Sequence, residues 1–262
     1  MSDNESTLLL QVGGGVASVR FNRSYAMNAL SPQLLEELAE ALESLHDRPD
    51  VQVVVLEGMG RAFSVGFDLH AMASLLNDDG TLDIDAVQRS AALGRRVIEA
   101  IQRQSAVTVA SAHGFAVGGG FLMVAACDLR IATHDLICSV PEVDLGLPLM
   151  WGGVPLLMSE LGRGLARDLI LTGRQFGCDA LTGTHFIHRL VTEDERDTAT
   201  GELVATLLDK PKEALLQMKG QLQDASGVDT PSSMPDPERL QLCATHPAFV
   251  PTLMAYVQKL RA

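Results

Sequence analysis

Glu142 stands in Val140-Pro141-Glu142-Val143-Asp144-Leu145-Gly146-Leu147-Pro148, an otherwise apolar stretch that removes its carboxylate from water. Desolvation disfavours the charged form and raises a carboxyl pKa, which suits a base that must also return its proton. Two glycine turns supply a complementary kind of chemistry. In Arg61-Ala62-Phe63-Ser64-Val65-Gly66-Phe67-Asp68-Leu69, Gly66 permits a sharp turn and Asp68 suits a helix N-cap, leaving the Phe67 N–H free near a helix start. His113-Gly114-Phe115-Ala116-Val117-Gly118-Gly119-Gly120 repeats the arrangement between a strand and a helix. Two such turns from adjacent strands can aim two N–H donors at one oxygen, the geometry of an oxyanion hole.

Each signal also has an ordinary reading. A Gly-Gly-Gly run alone is a loop, Asp68 alone is a cap, and Glu142 alone fits a structural ion pair as well as an acid–base group. Asp144 fits pairing with an arginine or capping a turn better than catalysis. Ser64-Val65-Gly66 lacks the preceding glycine of a serine-nucleophile elbow. Gly58-Met59-Gly60 opens like a dinucleotide fingerprint, but Phe63 stands where its third glycine belongs. His185 and His188 share a helical spacing without a third ligand, so no metal is expected.

The elements that position these segments begin with Leu8–Val12 and Val16–Phe21, which flank Gly13-Gly14-Gly15 and predict a hairpin. Ser31 as cap and Pro32 in the first turn open a helix with Leu34, Leu38, Leu42 and Leu45 on one face. Val51–Glu57 and Ala106–Ala112 read as buried strands, Ala86–Arg103 and Phe121–Ala126 as helices, and Leu129–Thr133 as a further strand. Ser74–Asp85, rich in aspartate, predicts a solvated loop. Beyond Trp151 the pattern turns helical, with a polar break at Asp229–Pro237 and a final amphipathic segment, Phe249–Leu260. The expectation is an α/β core over residues 1–200 and a helical region over 201–262.

Composition narrows the function classes. A net charge of −13 argues against nucleic acid as the main partner, while leaving an anionic cofactor open to backbone donors. No apolar run is long enough for a membrane span, the first residues lack a signal-peptide pattern, and the four cysteines are scattered, so a cytoplasmic protein is expected.

Taken together, AFSVGFDL, HGFAVGGGF and PEVDLGL, with Tyr25-Ala26-Met27-Asn28-Ala29-Leu30, resemble the crotonase (enoyl-CoA hydratase/isomerase) superfamily from about Phe21 to the last helices. The resemblance implies a spiral of ββα units and a helical C-terminal trimerisation region that covers the active site, with trimers able to pair into hexamers. It also implies an acyl-CoA thioester bound in a bent conformation, coenzyme A entering only as part of the substrate. Matched positions make Phe67 and Gly119 the oxyanion donors and Glu142 the acid–base residue. Ala26, Met27, Gly66, Asp68, Leu69 and Gly118 match coenzyme A contacts, and Arg23 is a candidate for a phosphate. Met72, Leu122, Met123, Leu149, Met150 and Trp151 are candidates for the acyl pocket, with core packing as the competing role.

The departures matter as much. Hydratases of the family carry a second glutamate where this chain has Leu122, and dienoyl-CoA isomerases carry acids where it has Leu122 and Met150. One base suffices to shift a double bond from the 3,4 to the 2,3 position, so isomerisation is the expected reaction in fatty acid metabolism. Hydration with a single glutamate and non-catalytic acyl-CoA binding are the alternatives. His185 stands where the family commonly has glycine, which questions the local turn.

Overall fold

The computed structural model describes residues 6–68, 70–71, 83–226, 247 and 251. The hairpin forms as β1 (Leu8–Gly13) and β2 (Val16–Phe21), paired antiparallel with Leu8 opposite Phe21. Gly14 and Gly15 turn it at φ 61° and 84°, values that glycine adopts without steric cost. β2 then pairs in parallel with β3 (Val53–Gly58), β3 with β4 (Val107–Ala112), β4 with β6 (Leu129–Thr133) and β6 with β8 (Arg189–Val191). A second, two-stranded parallel sheet joins β5 (Phe115–Val117) to β7 (Ile137–Ser139).

Strand in the large sheet, strand in the small sheet, then helix is the recurring unit. It appears as β4-β5-α3, with α3 at Gly119–Ala126, and as β6-β7-α4, with α4 at Gly153–Thr172. An earlier turn runs from β3 through a single bridge, Ser64 to Ala116, to α2 (Ile84–Gln102). This is the ββα spiral that the resemblance implies.

Both faces of the large sheet are covered, so β3 and β4 are largely apolar, with Thr108 and Ser111 buried among aliphatic neighbours. Val54, Leu56, Ala110 and Ala112 face the main core beneath α1 (Pro32–His46) and α2, while Val53, Val55 and Val109 face Leu203, Val204 and Leu207 of α5 (Arg196–Leu208). α1 starts as its sequence predicts, with Ser31 accepting from the Leu34 N–H at 3.2 Å. α6 (Lys212–Ser226) is tied back by Lys219, a buried ammonium on Asp128, and by Gln223, which donates to the Gln104 carbonyl at 2.8 Å. Among the described residues, no helix is long and apolar enough to cross a membrane.

Three expectations shift. Ile84 and Asp85 belong to α2 rather than to the aspartate-rich loop, because Asp83 caps the helix by accepting from the Ala86 N–H at 3.0 Å. The rest of that loop, from 74 to 82, lies outside the described residues, as do the polar break and all of the final segment except Pro251. β8 adds a strand in the region expected to be helical, three residues held by register with β6 rather than by their own pattern. The turn around His185 does form. His185 takes φ 59°, a left-handed value that explains why glycine suits the position.

Candidate active site

The four motif segments are stitched together by main-chain hydrogen bonds. Leu30 donates to the Gly66 carbonyl at 2.8 Å, Asp68 donates to the Leu30 carbonyl at 3.2 Å, and Val65 donates to the Met27 carbonyl at 3.2 Å. These bonds lay Ala26–Leu30 along Ser64–Asp68. Asn28, buried and at φ 55°, fixes the bend by donating through Nδ2 to the carbonyls of Met59 and Ala62. The next seam is equally regular: Phe63 donates to His113 O, Ser64 to Phe115 O and Val117 to Ser64 O, all within 3.0 Å. Finally Gly118 donates to Ser139 O at 2.9 Å, which brings the segment after β7 beside the glycine triplet.

The glycines are needed where these segments touch. A Cβ on Gly66, whose φ is 82°, would lie 2.6 Å from the Val117 carbonyl oxygen. One on Gly118 would lie 2.8 Å from Oε1 of Glu142, so the carboxylate sits directly against the triplet. Among the described residues, neither the Phe67 N–H nor the Gly119 N–H has an acceptor; Gly119 is the first residue of α3, where a helix leaves its donors unpaired.

Glu142 lies in a short 3-10 turn, Pro141–Val143. Among the described residues its buried Oε2 has no hydrogen-bond partner, and burial pushes the carboxyl above its ordinary value. A raised native pKa means that the folded chain binds more protons than the unfolded one between about 4.5 and that raised value. Glu142 therefore weakens stability progressively as pH climbs through that window. Glu142→Gln is expected to melt above the parent at pH 8, with the gap closing below pH 4.5. Thermal melts at the two pH values check this, and a variant less stable than the parent at pH 8 contradicts it.

Leu122 is fully buried, and Gly153 lies between it and Leu149: a Cβ on Gly153 would be 2.9 Å from a Leu122 methyl and 2.9 Å from Leu149 Cγ. Met123 is fully buried in the main core, Met150 is half-buried, and Trp151 packs against that core. Leu69 and Met72 lie outside the described residues. Asp144 is exposed with its carboxylate against Gly173, and among the described residues it forms no ion pair.

Arg23 requires a correction. Its guanidinium is largely buried, 2.9 Å from the Asp68 carboxylate, and it also donates to the Ala29 carbonyl. It is therefore an internal brace between two motif segments rather than a free phosphate ligand. Asp68 serves that ion pair and accepts from the His70 N–H at 3.0 Å. Sequence spacing gives no signal for a pair 45 residues apart. Ser64 likewise has a structural task, donating to the Asn28 carbonyl at 2.8 Å and accepting from Gly66 N–H. Among the described residues no cluster of three metal-binding side chains occurs.

The enoyl-CoA hydratase/isomerase family profile matches residues 11–242. A probable enoyl-CoA hydratase of Mycobacterium bovis is 31% identical over 217 residues, 80% of each chain. A peroxisomal Delta(3,5)-Delta(2,4)-dienoyl-CoA isomerase of Arabidopsis thaliana is 35% identical over 161 residues, 59% of this chain and 58% of that one. A putative enoyl-CoA hydratase of Thermobifida fusca, solved in complex with CoA, superposes with a TM-score of 0.75 at 27% identity, covering 98% of this chain and 95% of that one. By fold, motif order and profile, the chain belongs to the enoyl-CoA hydratase/isomerase family, within the crotonase superfamily.

Proposed function

We propose that this protein moves the double bond of an enoyl-CoA from the 3,4 to the 2,3 position, with Glu142 as its single acid–base group. The observation that carries the reading is a buried Glu142 oxygen, unpartnered among the described residues, together with a buried Leu122, a hydrocarbon where the resemblance implies that hydratases hold their second carboxylate. Syn hydration is helped by two carboxylates that fix one water between them, and here half of that grip is an isobutyl group.

The proposed sequence needs no other group. Glu142 takes a proton from C2, and the electron pair delocalises over the 3,4 double bond and the thioester oxygen. The N–H groups of Phe67 and Gly119, unpaired among the described residues, donate to that oxygen, each donor typically worth about 2.7–4 kcal/mol of transition-state stabilisation. The protonated Glu142 then delivers its proton at C4, leaving the double bond at 2,3. A carboxyl raised by burial suits both halves, because it is basic enough to accept and acidic enough to return.

In this reading Ala26, Met27, Gly66, Asp68, Leu69 and Gly118 border the coenzyme, and the putative hydratase solved with CoA supports a CoA ester as ligand. Residues 201–262 form the oligomerisation region of a trimer or of paired trimers. Hydration of a 2-enoyl-CoA by Glu142 alone is the second reading, favoured by the M. bovis relative's being a probable hydratase.

Product analysis separates the two. Incubation with a 3-enoyl-CoA is expected to give the 2-enoyl-CoA. Formation of 3-hydroxyacyl-CoA from a 2-enoyl-CoA, without bond migration in the 3-enoyl-CoA, overturns isomerisation in favour of hydration.

A further inference from the structure

Trp151 has a backbone conformation that its side chain does not favour. It takes φ 60° and is followed by Gly152 at φ 73°, two consecutive left-handed residues leading into α4. A bulky residue there is an outlier, and such strain persists where the surrounding structure over-determines it. What holds Trp151 is a slot made of two glycines. A Cβ on Gly94, inside α2, would overlap the indole at Cε2, and a Cβ on Gly119 would overlap it at Cζ3. The ring is therefore clamped between α2 and α3, in direct contact with the residue whose N–H is the proposed thioester donor.

Trp151 and Gly152 also border a cavity of about 770 Å³ where Ile98, Ala125, Leu129 and Leu156 line the wall together with charged groups, among them Glu99, Arg103, Asp128 and Lys219. Trp151 thus adjoins Gly119 through its indole and this cavity as one of its lining residues.

We infer that Trp151 is a specificity-determining residue: the end wall of the acyl pocket, which confines this enzyme to short acyl chains and shuts longer ones out of the cavity behind it. The inference rests on the acyl-CoA reading above and adds to it the class of substrate. An acyl chain leaving a thioester held at Gly119 meets the face of the indole within a few carbons. Extra methylenes then find no apolar surface to bury, although each buried CH2 ordinarily strengthens binding by about fourfold.

The test uses saturated acyl-CoAs, which bind without reacting, so that it does not depend on which reaction the site performs. Dissociation constants for butyryl-, octanoyl- and dodecanoyl-CoA are measured for the full chain and for Trp151→Gly, which suits the left-handed backbone. The parent is expected to bind dodecanoyl-CoA no more tightly than butyryl-CoA. In Trp151→Gly the ratio of dodecanoyl to butyryl affinity is expected to rise by at least about tenfold. Trp151→Phe, a smaller change that keeps a ring in the slot, is expected to give an intermediate ratio and serves if the glycine variant does not fold.

A parent that already gains affinity with chain length, or variants with the parent's ratio, overturns the end-wall role. Failure of every acyl-CoA to bind overturns this inference together with the acyl-CoA reading. The expected ratios in a protein that turns over no enoyl-CoA leave the wall standing and remove only the isomerase reading.

Discussion

Glu142→Gln is expected to lower kcat for enoyl-CoA turnover by at least about 10²–10⁴-fold, the range associated with one positioned acid–base group. The loss should lie in kcat rather than in acyl-CoA binding. Glutamine keeps the size of the side chain and its place against Gly118 while removing the ability to hold a transferable proton. No second ionisable side chain can stand in at position 122, which is a buried leucine. In the parent, activity should rise with pH through the raised Glu142 pKa, because only the ionised carboxylate can accept the C2 proton. Steady-state kinetics across pH, with acyl-CoA binding measured in parallel, check both statements. A variant retaining more than about a tenth of parental kcat would remove Glu142 from the chemistry. Absence of turnover in parent and variant alike, with binding intact, would identify an acyl-CoA binder.

Gly119→Ala is the second large effect, with an expected loss of about 10²–10³-fold in kcat, comparable to deleting an oxyanion donor. The N–H itself survives the substitution, so the loss arises from displacement. The new methyl would overlap Trp151 Cζ3 and lie 2.6 Å from Cη2 and 3.0 Å from Cε3. Either the indole leaves its slot or the first turn of α3 moves, and a shift of the donor by a fraction of an ångström misaligns it. A double-mutant cycle identifies the cause. If steric overlap is responsible, Gly119→Ala costs far less in a Trp151→Gly background than in the parent. Equal costs in both backgrounds would mean that the indole is not what the methyl strikes. A Gly119→Ala single variant with parental kcat would contradict the donor role.

The fold was legible where the chain solves a local problem with a local signal. Ser31-Pro32 with leucines on one face predicted α1 nearly to its ends, and β-branched runs predicted β3 and β4 because strands buried on both faces have no polar alternation to obscure them. The glycine turns were legible for the same reason: Gly66 and Gly118 adopt positive φ and pack against carbonyl or carboxylate oxygens, which no side chain tolerates.

What the sequence hid depends on distant partners. β8 exists because β6 offers it an edge, and three residues carry no period of their own. Arg23 looked available for phosphate because its partner Asp68 is far along the chain. The start of α2 was masked by composition, since Asp83 and Asp85 count equally as loop residues and as cap and first-turn acid. Trp151 was legible as an acyl-pocket candidate but not as a residue held in a slot. Its slot requires Gly94 and Gly119 to meet across two helices, although a tryptophan followed by two glycines at a helix start is a signal worth weighing.

The seams that join the four motif segments run mainly through carbonyls and amides, with Asn28, Ser64 and the Arg23–Asp68 pair as their side-chain ties. Polarity built this way is carried by the path of the chain, so most residues along those seams can be exchanged without disturbing the donors they align. Under the proposed mechanism, chemical novelty then requires changes only at the few positions given acid–base or acyl-pocket roles, such as 122, 142 and 151. A framework of that kind can be inherited almost unaltered while the reaction performed within it is rewritten.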